Sequence, residues 1–171
     1  MSAPRAGLWA RGGGVSLRRR ERPFTHSIND GPSDGPNEAL SDGLARALRD
    51  GIERGHERAL PTTTDVEWFE VRAGGATVGL LALRRDVPAA SAVTVVAVAI
   101  EPARRGHDLG ARALQIAERR LWREGLRECY ARVPRSNGRG LYFMLRAGYA
   151  PLTPPVEDGA TWFRRARGGA T

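Results

Sequence analysis

The chain has 171 residues and a mass of 18.6 kDa, the size of one ordinary domain, and its 41% of hydrophobic residues suffice for a buried core. This excludes wholesale disorder, and because no apolar run approaches the roughly 18–20 residues of a membrane-spanning helix, we expect no membrane protein. The single cysteine, Cys129, cannot form an internal disulfide, which favours a reducing cytoplasm. One cysteine and three scattered histidines form no metal-ligand cluster, so we expect no metal site.

Basic residues number 27 against 19 acids, a net charge of +8, and every one of the 27 is arginine. A surface of that sign attracts phosphates and acidic partners. The complete lack of lysine, beside 21 glycines, indicates a compositional bias of the whole chain. The charge alone is therefore no reason to expect a nucleic-acid-binding protein.

The N-terminal residues 1–14 hold three adjacent glycines, two arginines and no continuous apolar stretch. We expect a disordered segment there and one domain over residues 15–171. Val15–Phe24 is the first candidate strand. After a loop rich in Asp, Gly and Pro, leucines recur at helical spacing over Leu40–Leu48 and predict a helix.

The middle of the chain predicts three strands. Trp68–Val71 and Ala76–Leu83 flank a Gly-Gly pair and have the pattern of a hairpin. The unbroken, β-branched run Ala92–Ile100 is typical of a strand that is buried on both faces and central in its sheet, and Pro102 ends it.

The remainder alternates helices and strands. Apolar residues share one face of a helix over Leu109–Glu124, Glu128–Val133 alternates as a half-buried strand, and a short helix follows from about Gly138 to Ala147. Tyr149–Leu152 and Thr161–Arg165 are candidate closing strands. The pattern predicts an α/β (α+β) domain.

The junction Ile100–Ala111 is where the sequence indicates chemistry. A buried strand ends, a loop containing Gly106 follows, and a helix starts at once. The first amides of a helix lack helical partners and its dipole favours negative charge, so this junction suits a pyrophosphate, with Arg104 and Arg105 adding positive potential. An ordinary strand-to-helix connection in a glycine-rich chain explains the same residues equally well.

The same junction resembles the acetyl-CoA-binding motif of the GNAT (Gcn5-related N-acetyltransferase) superfamily, where a strand ends in Val-x-Pro and Arg-x-x-Gly-x-Gly/Ala opens the next helix. The ungapped match is Arg105–Gly110. Asn137, Gly140 and the pair Gly148-Tyr149 match a second element of the family. The resemblance implies the GNAT fold, a mixed, mostly antiparallel central sheet flanked by helices, with a splayed cofactor cleft.

The resemblance also implies roles toward acetyl-CoA. Main-chain groups near Val98 and Ile100 would meet the pantetheine arm and the thioester carbonyl, and the side chain of Asn137 would reach the pantetheine. For Asn137, a simple helix N-cap is the alternative. Amides of the loop and of the first helical turn would hold the pyrophosphate, namely those of Arg105, Gly106, His107, Asp108, Leu109, Gly110 and Ala111.

Two positions depart from the family pattern. Asp108 stands where the family has glycine, and its side chain and charge oppose the approach of a phosphate. Met144 stands where many members carry a tyrosine that protonates the departing thiolate. Tyr142 and Glu70 remain as candidates for the catalytic acid and base. Their ordinary interpretations are a packing aromatic and a solvated strand residue.

We therefore expect a GNAT-type N-acetyltransferase that moves an acetyl group from acetyl-CoA to a primary amine of a small molecule or peptide by direct attack, without a metal. The acceptor is unidentified, and the resemblance implies a homodimer formed through the late strands. The alternative is a non-catalytic or degenerate GNAT-fold module that binds acyl-CoA or a protein partner, which Asp108 and Met144 favour.

Overall fold

The computed structural model describes residues 7–21, 42–53, 65–153 and 159–168. The predicted helix start at Leu40 and the predicted strand end at Phe24 lie outside these ranges. The elements are β1 (Gly7–Gly12), β2 (Val15–Arg20), α1 (Asp42–Glu53), β3 (Val66–Ala73), β4 (Ala76–Arg85), β5 (Ala92–Ile100), a 3-10 turn (Pro102–Arg104), α2 (Leu109–Arg123), β6 (Glu128–Pro134), α3 (Gly138–Arg146), β7 (Ala150–Pro151) and β8 (Ala160–Ala166).

The strands form one sheet in the order β1-β2-β3-β4-β5-β6-β8-β7. Neighbours are antiparallel except β5 and β6, which run parallel because α2 carries the chain back across the sheet between them. The expectation of a mixed, mostly antiparallel sheet flanked by helices is confirmed.

The expectation of a disordered segment over residues 1–14 is wrong for its second half, where β1 pairs with β2. The glycines, which the sequence pattern suggested were flexible, form the hairpin turn instead, with φ of 56° at Gly13 and 76° at Gly14. Trp9 of β1 then packs its ring 4.4 Å from that of Phe69. This apolar contact explains why the segment is ordered.

The two faces of the sheet bury separate cores. On one face, α1 covers a small cluster that includes Leu44, Leu80 and Ala99. On the other, α2 and α3 cover a larger cluster in which Val98 and Ile100 are partly buried. The expectation that β5 is buried on both faces therefore holds for its first half only, because Val96, Ala97, Val98 and Ile100 of its second half are partly exposed.

Among the described residues, no helix is long and apolar enough to cross a membrane. A cytoplasmic location and the expected lack of a metal stay predictions.

Candidate functional site

A gap opens in the sheet where β5 and β6 separate. The two strands pair from Ala92 with Glu128 to Val95 with Ala131, and their ladder then stops. At the same point the β4–β5 ladder shifts register by one residue, leaving Val96 as a bulge. A bulge bends and twists its strand. The second half of β5 therefore runs along the gap with one edge unpaired to β6.

The pairing of β5 with β4 decides which main-chain groups face this gap. The Glu101 N–H donates to the Val78 carbonyl at 2.9 Å, so Glu101 and, by alternation, Ala99 direct their main-chain groups toward β4. Val98 and Ile100 then direct theirs toward the gap, and their expected contacts with the pantetheine and the thioester stay predictions. The Ile100 carbonyl accepts from Nε of Arg105 at 3.0 Å, so of the main-chain groups of Ile100 this one is already used within the protein.

The loop after β5 leads directly into the start of α2. Gly106 has φ of 83°, a conformation that lets the chain turn tightly without a side chain. The first helical hydrogen bond joins the Arg112 N–H to the Asp108 carbonyl at 2.9 Å. The N–H groups of Leu109, Gly110 and Ala111 therefore precede the helical ladder and point out of the helix end. The structure thus groups the amides of Leu109, Gly110 and Ala111 at this end of α2, whereas the N–H of Arg105, also predicted to hold the pyrophosphate, donates to the Pro102 carbonyl at 3.3 Å.

His107 lies exposed on the same loop. Its Nδ1 is 3.0 Å from the Arg105 carbonyl and 3.3 Å from the Arg104 carbonyl. The ring is thus held through Nδ1 against main-chain oxygens of its own loop.

Asp108 adopts the backbone that a glycine would adopt more easily. It is the N-cap of α2, with φ of 55° and ψ of 15°, and its side chain makes no capping hydrogen bond. Aspartate tolerates this left-handed region better than most residues, at a cost of about 1 kcal/mol. The aspartate that replaces the family's glycine at this position is therefore unfavourable for two reasons, its left-handed backbone and its negative charge.

Gly110 brings α2 close to the end of β5. A Cβ at this position would lie 3.5 Å from Cγ1 of Ile100, 3.6 Å from Cγ1 of Val98 and 3.4 Å from Cε2 of Phe143. Phe143 is a wall of the site that the sequence analysis did not single out. The sequence signal that could have identified Phe143 is its position in the predicted helix, next to Met144 but on a different side of the helix.

Asn137 caps α3. Its Oδ1 accepts from the Gly140 N–H at 2.8 Å. Gly140 fits only because it has no side chain, since a Cβ there would lie 2.7 Å from Nδ2 of Asn137 and 2.9 Å from Cγ1 of Val133. The alternative interpretation of Asn137 as a helix cap is therefore confirmed, while its expected contact with pantetheine stays a prediction.

The candidate catalytic acid lies on the outer face of α3. Tyr142 is 62% exposed, and the guanidinium of Arg146 lies 5.9 Å from its ring centre. Met144 is only 3% exposed and belongs to the core beneath the helix. Tyr142 therefore does not take the place that Met144 occupies on the inner face of α3.

The candidate base Glu70 is held by other side chains. Its carboxylate lies 3.2 Å from Arg20 and 3.4 Å from Arg72, and Thr77 donates to it at 3.4 Å. Glu70 pairs with Leu80, which pairs with Ala99 of β5. Two strand spacings, about 10 Å, thus separate Glu70 from the gap. A proton transfer from a substrate at the gap would need an intervening water.

A buried polar network fastens α2 to the strands beyond the gap. Glu118, 2% exposed, accepts from the Tyr149 hydroxyl at 2.7 Å and pairs with Arg165 at 3.0 Å. Burial raises the pKa of the Glu118 carboxyl, and burial with the nearby Glu118 charge raises the pKa of the Cys129 thiol to about 12. Cys129 is thus a packing residue, as its alternation on β6 indicates, and not a nucleophile.

Comparison with known proteins identifies relatives of this architecture. The model of the acetyltransferase (GNAT) family matches residues 37–149. A probable acetyltransferase of the GNAT family from Chromobacterium violaceum has a TM-score of 0.61 to this chain at 20% identity, covering 97% of this chain and 90% of that one. The GNAT domain of S. lividans PAT has a TM-score of 0.57 at 18% identity, covering 93% and 97%.

A third solved structure, PaiA N-acetyltransferase from Thermoplasma acidophilum, is a complex with coenzyme A. Its TM-score is 0.53 at 18% identity, covering 72% of this chain and 71% of that one. No curated protein matches the chain in sequence. At such low identities the structural matches establish a shared fold.

Proposed function

Since the chain belongs to the GNAT acetyltransferase family, we propose that it transfers the acetyl group of acetyl-CoA to a primary amine of a small molecule or peptide by direct attack. The observation that carries this proposal is the gap between β5 and β6, which meets the N-terminus of α2 at Gly110. An elongated ligand with an anionic end and a polar arm fits both parts at once, and acetyl-CoA has that shape and charge.

The chain's own groups divide the work of binding. Amides of the loop and of Leu109–Ala111 hold the pyrophosphate with the positive end of the α2 dipole. The N–H of Val98 donates to the thioester carbonyl oxygen, where negative charge grows during attack. Hydrogen bonds to charged groups contribute about 1.5–3 kcal/mol each, so these amides account for substantial affinity.

The chemical step forms a bond from the amine nitrogen to the acetyl carbon while the carbon–sulfur bond breaks. The amine loses a proton, and the departing thiolate takes one up from solvent. With Glu70 engaged by arginines and Tyr142 on the outer face of α3, positioning at the gap supplies most of the acceleration. Since the described residues place no acid or base at the gap, we expect turnover about 10²–10⁴-fold slower than in a relative that has them.

The second candidate function is a module that binds acyl-CoA or a protein partner without turnover. Burial of Met144, where a tyrosine would supply a proton, is the observation that favours it. Turnover distinguishes the enzyme from a module that binds acyl-CoA, and binding of acyl-CoA distinguishes both from a module that binds only a protein partner.

The test is release of free coenzyme A, followed with a thiol reagent, from acetyl-CoA mixed with the protein and a panel of primary amines. Release that depends on both protein and amine supports acetyl transfer. Tight binding of acetyl-CoA with no release for any amine supports the module without turnover.

Replacing Asp108 with glycine is expected to tighten acetyl-CoA binding about tenfold. The change removes a negative charge close to the pyrophosphate, a Coulomb repulsion of about 1 kcal/mol or more at a few ångströms. The left-handed strain that is relieved and the flexibility that glycine adds to the unfolded chain are each about 1 kcal/mol, so the unfolding free energy changes little. Calorimetric titration measures the affinity, and Asp108→Asn, which removes the charge alone, is the matched control.

A further inference from the structure

Most carboxylates in residues 65–153 have a partner. Residues 65–153 contain nine acids, and seven of them bind an arginine, a tyrosine or a main-chain N–H. Of these nine, Glu101 and Asp108 show no such partner among the described residues. The chain has 27 basic residues and 19 acids, and six of these nine acids pair with an arginine.

The two exceptions flank the candidate cofactor loop, and they differ in burial. Asp108 is exposed and has a local explanation as the left-handed N-cap of α2. Glu101 is half-buried directly after β5. Its Oε1 lies 3.6 Å from where a Cβ of Gly43 would be, so this carboxylate lies against the first turn of α1.

Glu101 lies on the face of the sheet opposite to α2. Ala99 belongs to the core under α1, whereas Ile100 packs with the core under α2 and α3. Side chains alternate along a strand, so Glu101 follows Ala99 onto the α1 face, in agreement with its position beside Gly43. A donor whose pyrophosphate is held at the N-terminus of α2 enters the gap from the α2 face. An acceptor that meets its thioester arrives from the α1 face, where Glu101 lies.

We propose that Glu101 selects the acceptor, by binding a second positive charge on a substrate that carries two cationic amines. The proposal rests on the acetyl transfer proposed above and specifies its substrate class. A carboxylate without an arginine partner retains its full charge for a ligand, and a half-buried carboxylate attracts an ammonium more strongly than an exposed one.

The strand sets the spacing of the two charges in the substrate. Val98, where the thioester carbonyl is held, lies three residues before Glu101, which is about 10 Å along a strand. Allowing about 3 Å for the contact between ammonium and carboxylate, the two nitrogens of the acceptor lie roughly 5–8 Å apart. A diamine with about four carbons between its nitrogens satisfies this spacing, whereas a monoamine of the same length gains nothing from Glu101.

The experiment compares 1,4-diaminobutane with butylamine. Binding of each amine to the protein saturated with coenzyme A is measured by calorimetry, and KM and kcat are measured with acetyl-CoA. The unchanged protein is expected to bind the diamine at least tenfold more tightly than the monoamine. Glu101→Gln is expected to remove that preference by raising the KM for the diamine, with kcat and the affinity for acetyl-CoA unchanged. Asp50→Asn, at an exposed acid further along α1, is the matched control and is expected to keep the preference.

The outcomes separate this proposal from the reaction on which it rests. If diamine binding is lost in Glu101→Gln but no amine is acetylated, the acetyl transfer is wrong and the cation site stands. If acetyl transfer occurs and Glu101→Gln keeps the preference for the diamine, Glu101 is not the selecting residue. A lower unfolding free energy of Glu101→Gln with unchanged amine binding would show that the carboxylate only stabilises the N-terminus of α1.

Discussion

Replacing Ala111 with proline is expected to weaken acetyl-CoA binding by about 10- to 100-fold. Ala111 is the third residue of α2, and its N–H precedes the helical ladder that begins at Arg112. Proline removes this one donor, and a hydrogen bond to a charged group contributes about 1.5–3 kcal/mol. Proline is tolerated in the first helical turn, where the missing N–H breaks no helical bond, so the fold is expected to persist. Calorimetric titration with acetyl-CoA measures the effect.

Thermal unfolding of the same variant is the control, since loss of affinity counts only if the melting temperature stays within a few degrees of the original. Ala111→Ser, which keeps the N–H, is expected to bind like the unchanged protein. An Ala111→Pro variant that binds acetyl-CoA with full affinity would show that the α2 N-terminus does not hold the pyrophosphate.

Replacing Arg165 with methionine is expected to lower the free energy of unfolding by about 3 kcal/mol at pH 7, because it leaves the buried charge of Glu118 without its ion-pair partner. Arg165 also donates to the Ala147 carbonyl at 2.6 Å, so the end of α3 loses a contact as well. Denaturant unfolding measures the loss. Arg164→Met, on the same strand and paired with Glu128 at 46% exposure, is the matched control and is expected to lose less than about 1 kcal/mol.

The deficit of Arg165→Met is also expected to depend on pH. Burial raises the pKa of Glu118 in the folded protein, and loss of the arginine raises it further. A carboxyl whose pKa is higher in the folded than in the unfolded protein stabilises the folded state at pH values below its ordinary pKa near 4.5. This stabilisation is lost as the pH rises through the folded pKa. The deficit should therefore be largest at neutral pH and shrink toward pH 4.5. A deficit that is constant over this range would mean that Glu118 is not the group left unpaired.

Local patterns predicted most of the elements. The β-branched run predicted β5 with the bounds that the structure gives, and the Gly-Gly pair predicted the β3–β4 hairpin, because both depend on neighbours in the sequence. The first strand was missed because its glycine turn has the composition of a flexible terminus. Its stability comes from the contact of Trp9 with Phe69, a residue distant in sequence.

The site divides in the same way. The amides at the start of α2 follow from one short segment, so the sequence located them. The ion pair of Glu70 with Arg20 depends on the β2–β3 register. That Glu101 stands apart is visible only when the partners of the other acids are known. Such facts require the assembled sheet. Phe143 was missed for the same reason, since only the packing of α3 on α2 shows that it faces Gly110.

The most direct test of this account is a calorimetric titration of the unchanged protein with acetyl-CoA, repeated with Asp108→Gly. We expect micromolar binding by the unchanged protein and about tenfold tighter binding by the glycine variant. Absence of heat from both proteins would contradict it, because the gap beside β5 and the start of α2 would then not form a cofactor site.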